Sequence, residues 1–272
     1  MLTINNNAKR KLKHFDFNNM YVVADFDKTI TVGNSKTSWS ILSNSNLVSP
    51  KYSEERDELY NYYRPIELDE NMDFEKKKEL MKEWYTKHIN LFVKYQITED
   101  IINIAAKDIK TMEFREGAKD FLDYLYKNNI PLIINSAGIG NFAKVFLTNN
   151  NCYHPNIYIS SNMIDFENGI ATGIGSNIIH SLNKNEMSLP KDIKNKINNR
   201  KSILLLGDQK SDKLMVNISK EENVLYTGFV TKDNSFEEHI DNFDIIVDSS
   251  SNYFDLLKLL NRDNNNISEK SL

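Results

Sequence analysis

Asp25 and Asp27 stand one residue apart at the end of the apolar run Tyr21-Val22-Val23-Ala24. Two carboxylates so placed can divide nucleophilic attack and proton transfer between them. Ser136 follows Ile130-Pro131-Leu132-Ile133-Ile134-Asn135, Lys184 lies in the polar loop Leu182-Asn183-Lys184-Asn185, and Asp208 and Asp212 follow Ile203-Leu204-Leu205-Leu206-Gly207. Taken together, these residue types suit phosphoryl transfer. A carboxylate attacks phosphorus in line, and Mg²⁺ held by oxygen ligands neutralises the equatorial oxygens. A lysine, a hydroxyl and backbone N–H groups hold the remaining ones. Any one of these residues alone is ordinary in a solvated loop; their recurrence at the ends of apolar runs gives them weight.

Those runs must be the elements that position the site. Short β-branched and apolar segments bounded by turns predict strands buried on both faces, as in a parallel sheet. They cover 21–24, 130–136 (with Pro131 tolerated at its start), 156–160, 203–208, 223–226 and 243–248. Helices are expected between them, at 118–128 and 141–148 among others, so the fold class is α/β with right-handed crossovers. Ligands of such sheets bind beyond the carboxyl ends of the strands, where Asp25, Asp27, Ser136 and Asp208 fall. The alternation is broken between Ser35 and Thr111. There Met81, Trp84, Tyr85, His88, Leu91 and Phe92 repeat at helical spacing within 74–95, and Thr98 with Glu99 and Asp100 opens a further helix. This divides the chain into a core, 1–33 and 112–272, and a helical insert, 34–111. Gly138-Ile139-Gly140 lacks the third glycine of a dinucleotide loop and does not follow the first strand. The first residues and the last dozen are polar and expected to fray.

Composition narrows the function. With 272 residues, 40% of them hydrophobic, a sizeable core is available, and a net charge of −4 gives no basic footprint for nucleic acid. The single cysteine, Cys152, excludes an intrachain disulfide and a cysteine-rich zinc site. No apolar stretch follows Lys9, Arg10, Lys11 and Lys13, and no window reaches the length of a membrane helix. A cytoplasmic protein with no membrane partner is expected, and a monomer is compatible with it.

Asp25-Phe26-Asp27-Lys28-Thr29, Ser136, Lys184 and Gly207-Asp208-Gln209-Lys210-Ser211-Asp212 resemble, in order, the four motifs of the haloacid dehalogenase-like superfamily. The match narrows with Tyr62-Tyr63-Arg64-Pro65-Ile66-Glu67, Met81-Lys82-Glu83-Trp84-Tyr85-Thr86-Lys87, Ser160-Ser161-Asn162-Met163 and Ile179-His180. These resemble the cytosolic type III (pyrimidine) 5′-nucleotidases, over roughly 21–260. The resemblance implies a Rossmann-like three-layer parallel-sheet core with a mainly helical cap inserted after the first strand. It also implies a Mg²⁺-dependent 5′-nucleotidase that hydrolyses nucleoside 5′-monophosphates such as CMP and UMP through an aspartyl-phosphate. Carried over, Asp25 is the nucleophile and Asp27 the general acid and base. The metal falls to the side chains of Asp25 and Asp208 and the Asp27 carbonyl. Ser136, the Ala137 amide and Lys184 bind phosphate, with Thr29 and Asp212 supporting, the latter by orienting Lys184 or a water on the metal. The P-type ion pumps have threonine where Asp27 stands, and a carboxylate there favours turnover by water.

The same resemblance makes the insert the selector of substrate. Glu67 would accept a hydrogen bond from the exocyclic amine of cytosine, and Trp84 or Tyr85 could stack on a base. His88 departs from the animal pattern; one turn beyond Trp84, it could reach the cleft. The segment between Thr29 and Tyr60 has no clear counterpart in the family. The alternatives are another small-molecule phosphatase on this scaffold, for phosphoserine or a sugar phosphate, or a nucleotide-binding protein without catalysis.

Overall fold

The structure is a computed structural model that describes residues 2–108, 110–185 and 189–268. Its strands are β1 (Thr3–Ile4), β2 (Met20–Ala24), β3 (Leu132–Ile139), β4 (Ile157–Asn162), β5 (Asp165–Glu167), β6 (Ile170–Gly173), β7 (Ser202–Gly207), β8 (Val224–Phe229) and β9 (Ile245–Val247). Seven of them form one sheet in the order β1-β9-β8-β7-β2-β3-β4, and β5 and β6 form a separate hairpin. Within the large sheet every pairing is parallel except β1 with β9. The expected α/β class is borne out.

The near-continuous apolar runs follow from burial on both faces. Every residue of β2, β7 and β8 is buried, and alternate side chains serve opposite layers. Val22, Ala24, Ile134, Leu204 and Leu206 pack on one side with α5 (Ala118–Lys127), α6 (Gly140–Asn149) and α9 (Tyr253–Ser268). Tyr21, Val23, Ile133, Ile203 and Leu205 pack on the other with Ile193 and Ile197 of α7 (Lys191–Ile197) and with Phe236 of α8 (Phe236–Asn242). From β2 the chain builds β3 and β4 to one side, then β7, β8 and β9 to the other. The strand order reverses there, the point beyond whose strand ends such sheets bind their ligands.

The insert contributes α2 (Pro50–Leu68), α3 (Phe74–Lys94) and α4 (Glu99–Ala105). Pro50 opens α2, Asp73 caps α3 through the Lys76 amide at 2.9 Å, and Thr98 caps α4 through the Ile101 amide at 3.2 Å. Among the described residues no helix is long and apolar enough to cross a membrane.

One expectation needs correction. The N-terminal residues do not fray: Thr3 and Ile4 pair with Ile246 and Ile245, and α1 (Asn6–Leu12) follows under an Asn5 cap. Their polar character is what binds them, since the Asn5 side-chain amide donates to the Phe243 carbonyl at 3.0 Å and Lys11 forms a buried ion pair with Asp244 at 2.8 Å. At the other end the helical backbone of α9 continues to Ser268, with 269–272 outside the described residues. The β5–β6 hairpin was not anticipated. Its signal was present as Asn168-Gly169, both at positive φ (50° and 77°), which is the turn such hairpins favour.

Candidate active site

β2 delivers Asp25 to the carboxyl end of the sheet with its amide still in the ladder, donating to the Leu206 carbonyl at 2.9 Å. The chain then folds back, and the Ile30 amide meets the Phe26 carbonyl at 3.0 Å while Lys28 takes the left-handed conformation (φ 62°). Arg115 clamps this loop by donating to the carbonyls of Lys28 and Thr29 at 2.5 and 3.2 Å, and Tyr253 donates to the Thr29 carbonyl at 3.2 Å. Thr29 is thus held in the loop through its carbonyl; its buried hydroxyl has no partner among the described residues.

Asp25, Asp208 and Asp212 converge, each offering a carboxylate oxygen within 4.8 Å of the others. All three are buried. Lys184 Nζ reaches Asp25 Oδ1 at 3.2 Å and Asp212 Oδ1 at 2.5 Å. Asp212 comes this close because residue 207 is glycine, where a Cβ would lie 2.4 Å from Asp212 Oδ2. Burial, and then neighbouring carboxylates, raise the Asp208 pKa; burial raises that of Asp25 too, against the pull of Lys184. Burial opposes the Lys184 ammonium, but Asp212 and Asp25 outweigh it and raise its pKa. Three carboxylates facing one ammonium leave a surplus of negative charge out of water. An all-oxygen donor set of this kind fits a hard divalent cation such as Mg²⁺. The Asp27 carboxylate is not part of the cluster, and Asp212 takes the third place in it.

Asp27 Oδ2 instead accepts from the Ser38 amide at 3.0 Å and the Ser38 hydroxyl at 2.8 Å. Burial raises its pKa, against those hydrogen bonds. Ser136 Oγ accepts from the Gly138 amide at 3.2 Å. A Cβ on Gly138 would fall 2.2 Å from Ser38 Oγ and 3.0 Å from Asp27 Oδ2, so only glycine fits between them. Asn162, fully buried at the end of β4, donates to the carbonyls of Ala137 (2.9 Å) and Ile179 (2.7 Å) and accepts from the Ile179 amide (2.9 Å). It ties the Ser136 loop to the segment that carries Lys184. Ser38 and Asn162 are the residues sequence reasoning did not assign. Asn162 stood in a quoted motif without a role, and Ser38 lies in the stretch that matched nothing.

The insert brings aromatic rings against the Ala137 end of β3. Trp39 donates to the Ala137 carbonyl at 3.1 Å, and Tyr85 meets Trp39 edge-on with centroids 5.0 Å apart. Trp84 stacks on Tyr63 at 5.8 Å. Burial, together with the charges of Glu67 and Asp25, raises the Tyr85 pKa against Lys184, which puts its phenol within electrostatic range of the acids and Lys184. Glu67 Oε1 accepts from Ser181 at 2.7 Å, and Oε2 is paired with Arg64. His88 is buried against Trp39 at 4.6 Å, and burial, then Arg56, lowers its pKa to about 3. It is therefore neutral near pH 7, and no positive charge reaches the cleft from it. It supports Trp39.

The same fold is found in solved structures of phosphatases. A phosphoserine phosphatase captured with its substrate shares it over 88% of this chain and 97% of its own, at 14% identity and a TM-score of 0.57. Fold and acidic cluster together define an α/β class whose site lies beyond the carboxyl ends of the strands. Within that class, the sequence model of the pyrimidine 5′-nucleotidase (UMPH-1) family matches residues 26–260, and the chain belongs to that family. The 7-methylguanosine phosphate-specific 5′-nucleotidase of Homo sapiens is 34% identical over 239 residues, covering 84% of this chain and 79% of its own. The crystal structure of cytosolic 5′-nucleotidase IIIB bound to cytidine superimposes with a TM-score of 0.82 at 28% identity, over 96% of this chain and 92% of that one.

Proposed function

We propose that the protein is a Mg²⁺-dependent 5′-nucleotidase that releases phosphate from nucleoside 5′-monophosphates through an aspartyl-phosphate on Asp25. The observation that carries this is the buried cluster of Asp25, Asp208, Asp212 and Lys184, with Asp27 beside it. Asp25 attacks phosphorus as Asp27 gives its proton to the departing ribose 5′-oxygen. Asp27 then takes a proton from water, which attacks phosphorus, frees phosphate and restores Asp25. Lys184, Ser136 and the Ala137 amide hold the phosphoryl oxygens. Asp25, Asp208 and the Asp27 carbonyl would hold Mg²⁺, with Asp212 close by. Bound there, the ion offsets charge on the transferring group and on the surrounding acids.

Residues 34–111 act as the cap, and the base lies under it near Glu67 and Tyr85. A pyrimidine preference has support in the family and in cytidine's presence in the neighbouring structure. The human relative's name points instead to a methylated purine. Cytosine and 7-methylguanine both carry an exocyclic amine that a carboxylate can accept from, whereas uracil has none. CMP and 7-methylguanosine 5′-monophosphate are therefore expected to outrun UMP, with the amine taking the place of Ser181 on Glu67 or sharing it. The cytosol is the compartment this reading favours.

Glu67→Ala tests base selection. It should lower kcat/KM for CMP about tenfold to a hundredfold, the loss expected for a hydrogen bond to a charged group, while sparing 4-nitrophenyl phosphate. Equal loss on both would remove Glu67 from base recognition and favour another small-molecule substrate.

A further inference from the structure

Ser38 stands near the start of the insert, 2% exposed, in a segment with no motif. Its amide and its hydroxyl both donate to the same carboxylate oxygen, Asp27 Oδ2. The hydroxyl also accepts from the Ile139 amide at 2.9 Å, at the junction of β3 and α6 beyond Ser136. One residue thus ties the Asp27 carboxyl to the strand end that carries the phosphate-binding loop. The other oxygen, Asp27 Oδ1, is buried and has no partner among the described residues. A bare acceptor in that setting is costly unless a ligand meets it. With Oδ2 already accepting two donors, Oδ1 is the oxygen left to carry a proton and to pass it on.

We propose that Ser38 is a positioning residue for the reaction: it fixes the Asp27 carboxyl by Oδ2 and so presents Oδ1 to the leaving oxygen. This rests on the assignment of Asp27 as general acid. The bond between Ser38 and Ile139 keeps the acid in register with the bound phosphoryl group. Gly138, where any Cβ would strike Ser38 Oγ, leaves room for the arrangement.

The test exploits leaving-group chemistry. A ribose 5′-oxygen departs poorly without a proton, whereas 4-nitrophenolate departs without one. kcat/KM, which reports formation of the phosphoenzyme, is measured with CMP and with 4-nitrophenyl phosphate at saturating Mg²⁺ for Ser38→Ala, Ser38→Cys and Asp27→Asn. General-acid catalysis contributes about 10²–10⁴-fold, and misplacing the acid should forfeit about tenfold of it. Ser38→Ala is expected to lose about tenfold more on CMP than on the aryl phosphate. Ser38→Cys keeps the volume and a weak donor, and should show a smaller split in the same direction even if the alanine variant folds poorly. Equal losses on the two substrates, or none, would overturn the proposal. If Asp27→Asn shows the split and the Ser38 variants do not, Ser38 alone is wrong. If Asp27→Asn shows no split, the general-acid assignment fails and the role of Ser38 fails with it.

Discussion

Asp25→Asn is expected to abolish phosphate release from CMP, with a loss on the order of 10⁴-fold or more, as when other covalent nucleophiles are removed. Asparagine keeps the shape of the side chain but cannot attack phosphorus. The protein should remain folded. The variant loses the charge in the 3.2 Å pairing with Lys184, yet it also removes the burial of that charge and its repulsion with Asp212 and Asp27, which raise the Asp25 pKa in the native chain. Activity by phosphate release and Tm by calorimetry, read together, check this. Full turnover in a folded variant would mean that Asp25 is not the nucleophile.

Lys184→Met is expected to be nearly as damaging, by a different route. Lys184 bridges Asp25 and Asp212, and in the proposed mechanism it holds a phosphoryl oxygen. Loss of one such preorganised contact costs about 10²–10³-fold in kcat. The variant also leaves buried carboxylates facing one another. Breaking a buried ion pair costs about 3–5 kcal/mol, so in the absence of metal Tm should fall on the order of 10 °C. Added Mg²⁺ should recover part of that fall, because the cation supplies the missing positive charge. A thermal scan with and without Mg²⁺ reads the effect, and an unchanged Tm in both would show that Lys184 does not balance the acids.

Much of the core was legible because its signals are local. A strand buried on both faces reads as a continuous apolar run, and β2, β3, β4, β7, β8 and β9 each announced themselves that way. Asp25, Asp208 and Lys184 followed, since the strands and the family motifs put them at one edge of the sheet. The convergence of Asp212 on that cluster was less legible. Only the glycine at position 207 makes room for it, and that close approach is a property of the packed sheet. Ser38 was out of reach for a similar reason. It meets Asp27 across eleven residues of irregular chain, and irregular backbone has no periodicity to read. His88 illustrates the converse. Its helical spacing was plain, but the burial that keeps it neutral depends on Trp39, from the same unmatched segment.

The most direct test of the central claim is phosphate release from CMP, UMP, 7-methylguanosine 5′-monophosphate and phosphoserine by the purified chain, first with Mg²⁺ and then with excess chelator. Turnover of nucleoside monophosphates well above phosphoserine, lost with chelator and restored by Mg²⁺, is the predicted result. Nucleotide turnover undiminished by the chelator, or phosphoserine turnover exceeding that of every nucleotide, would contradict it.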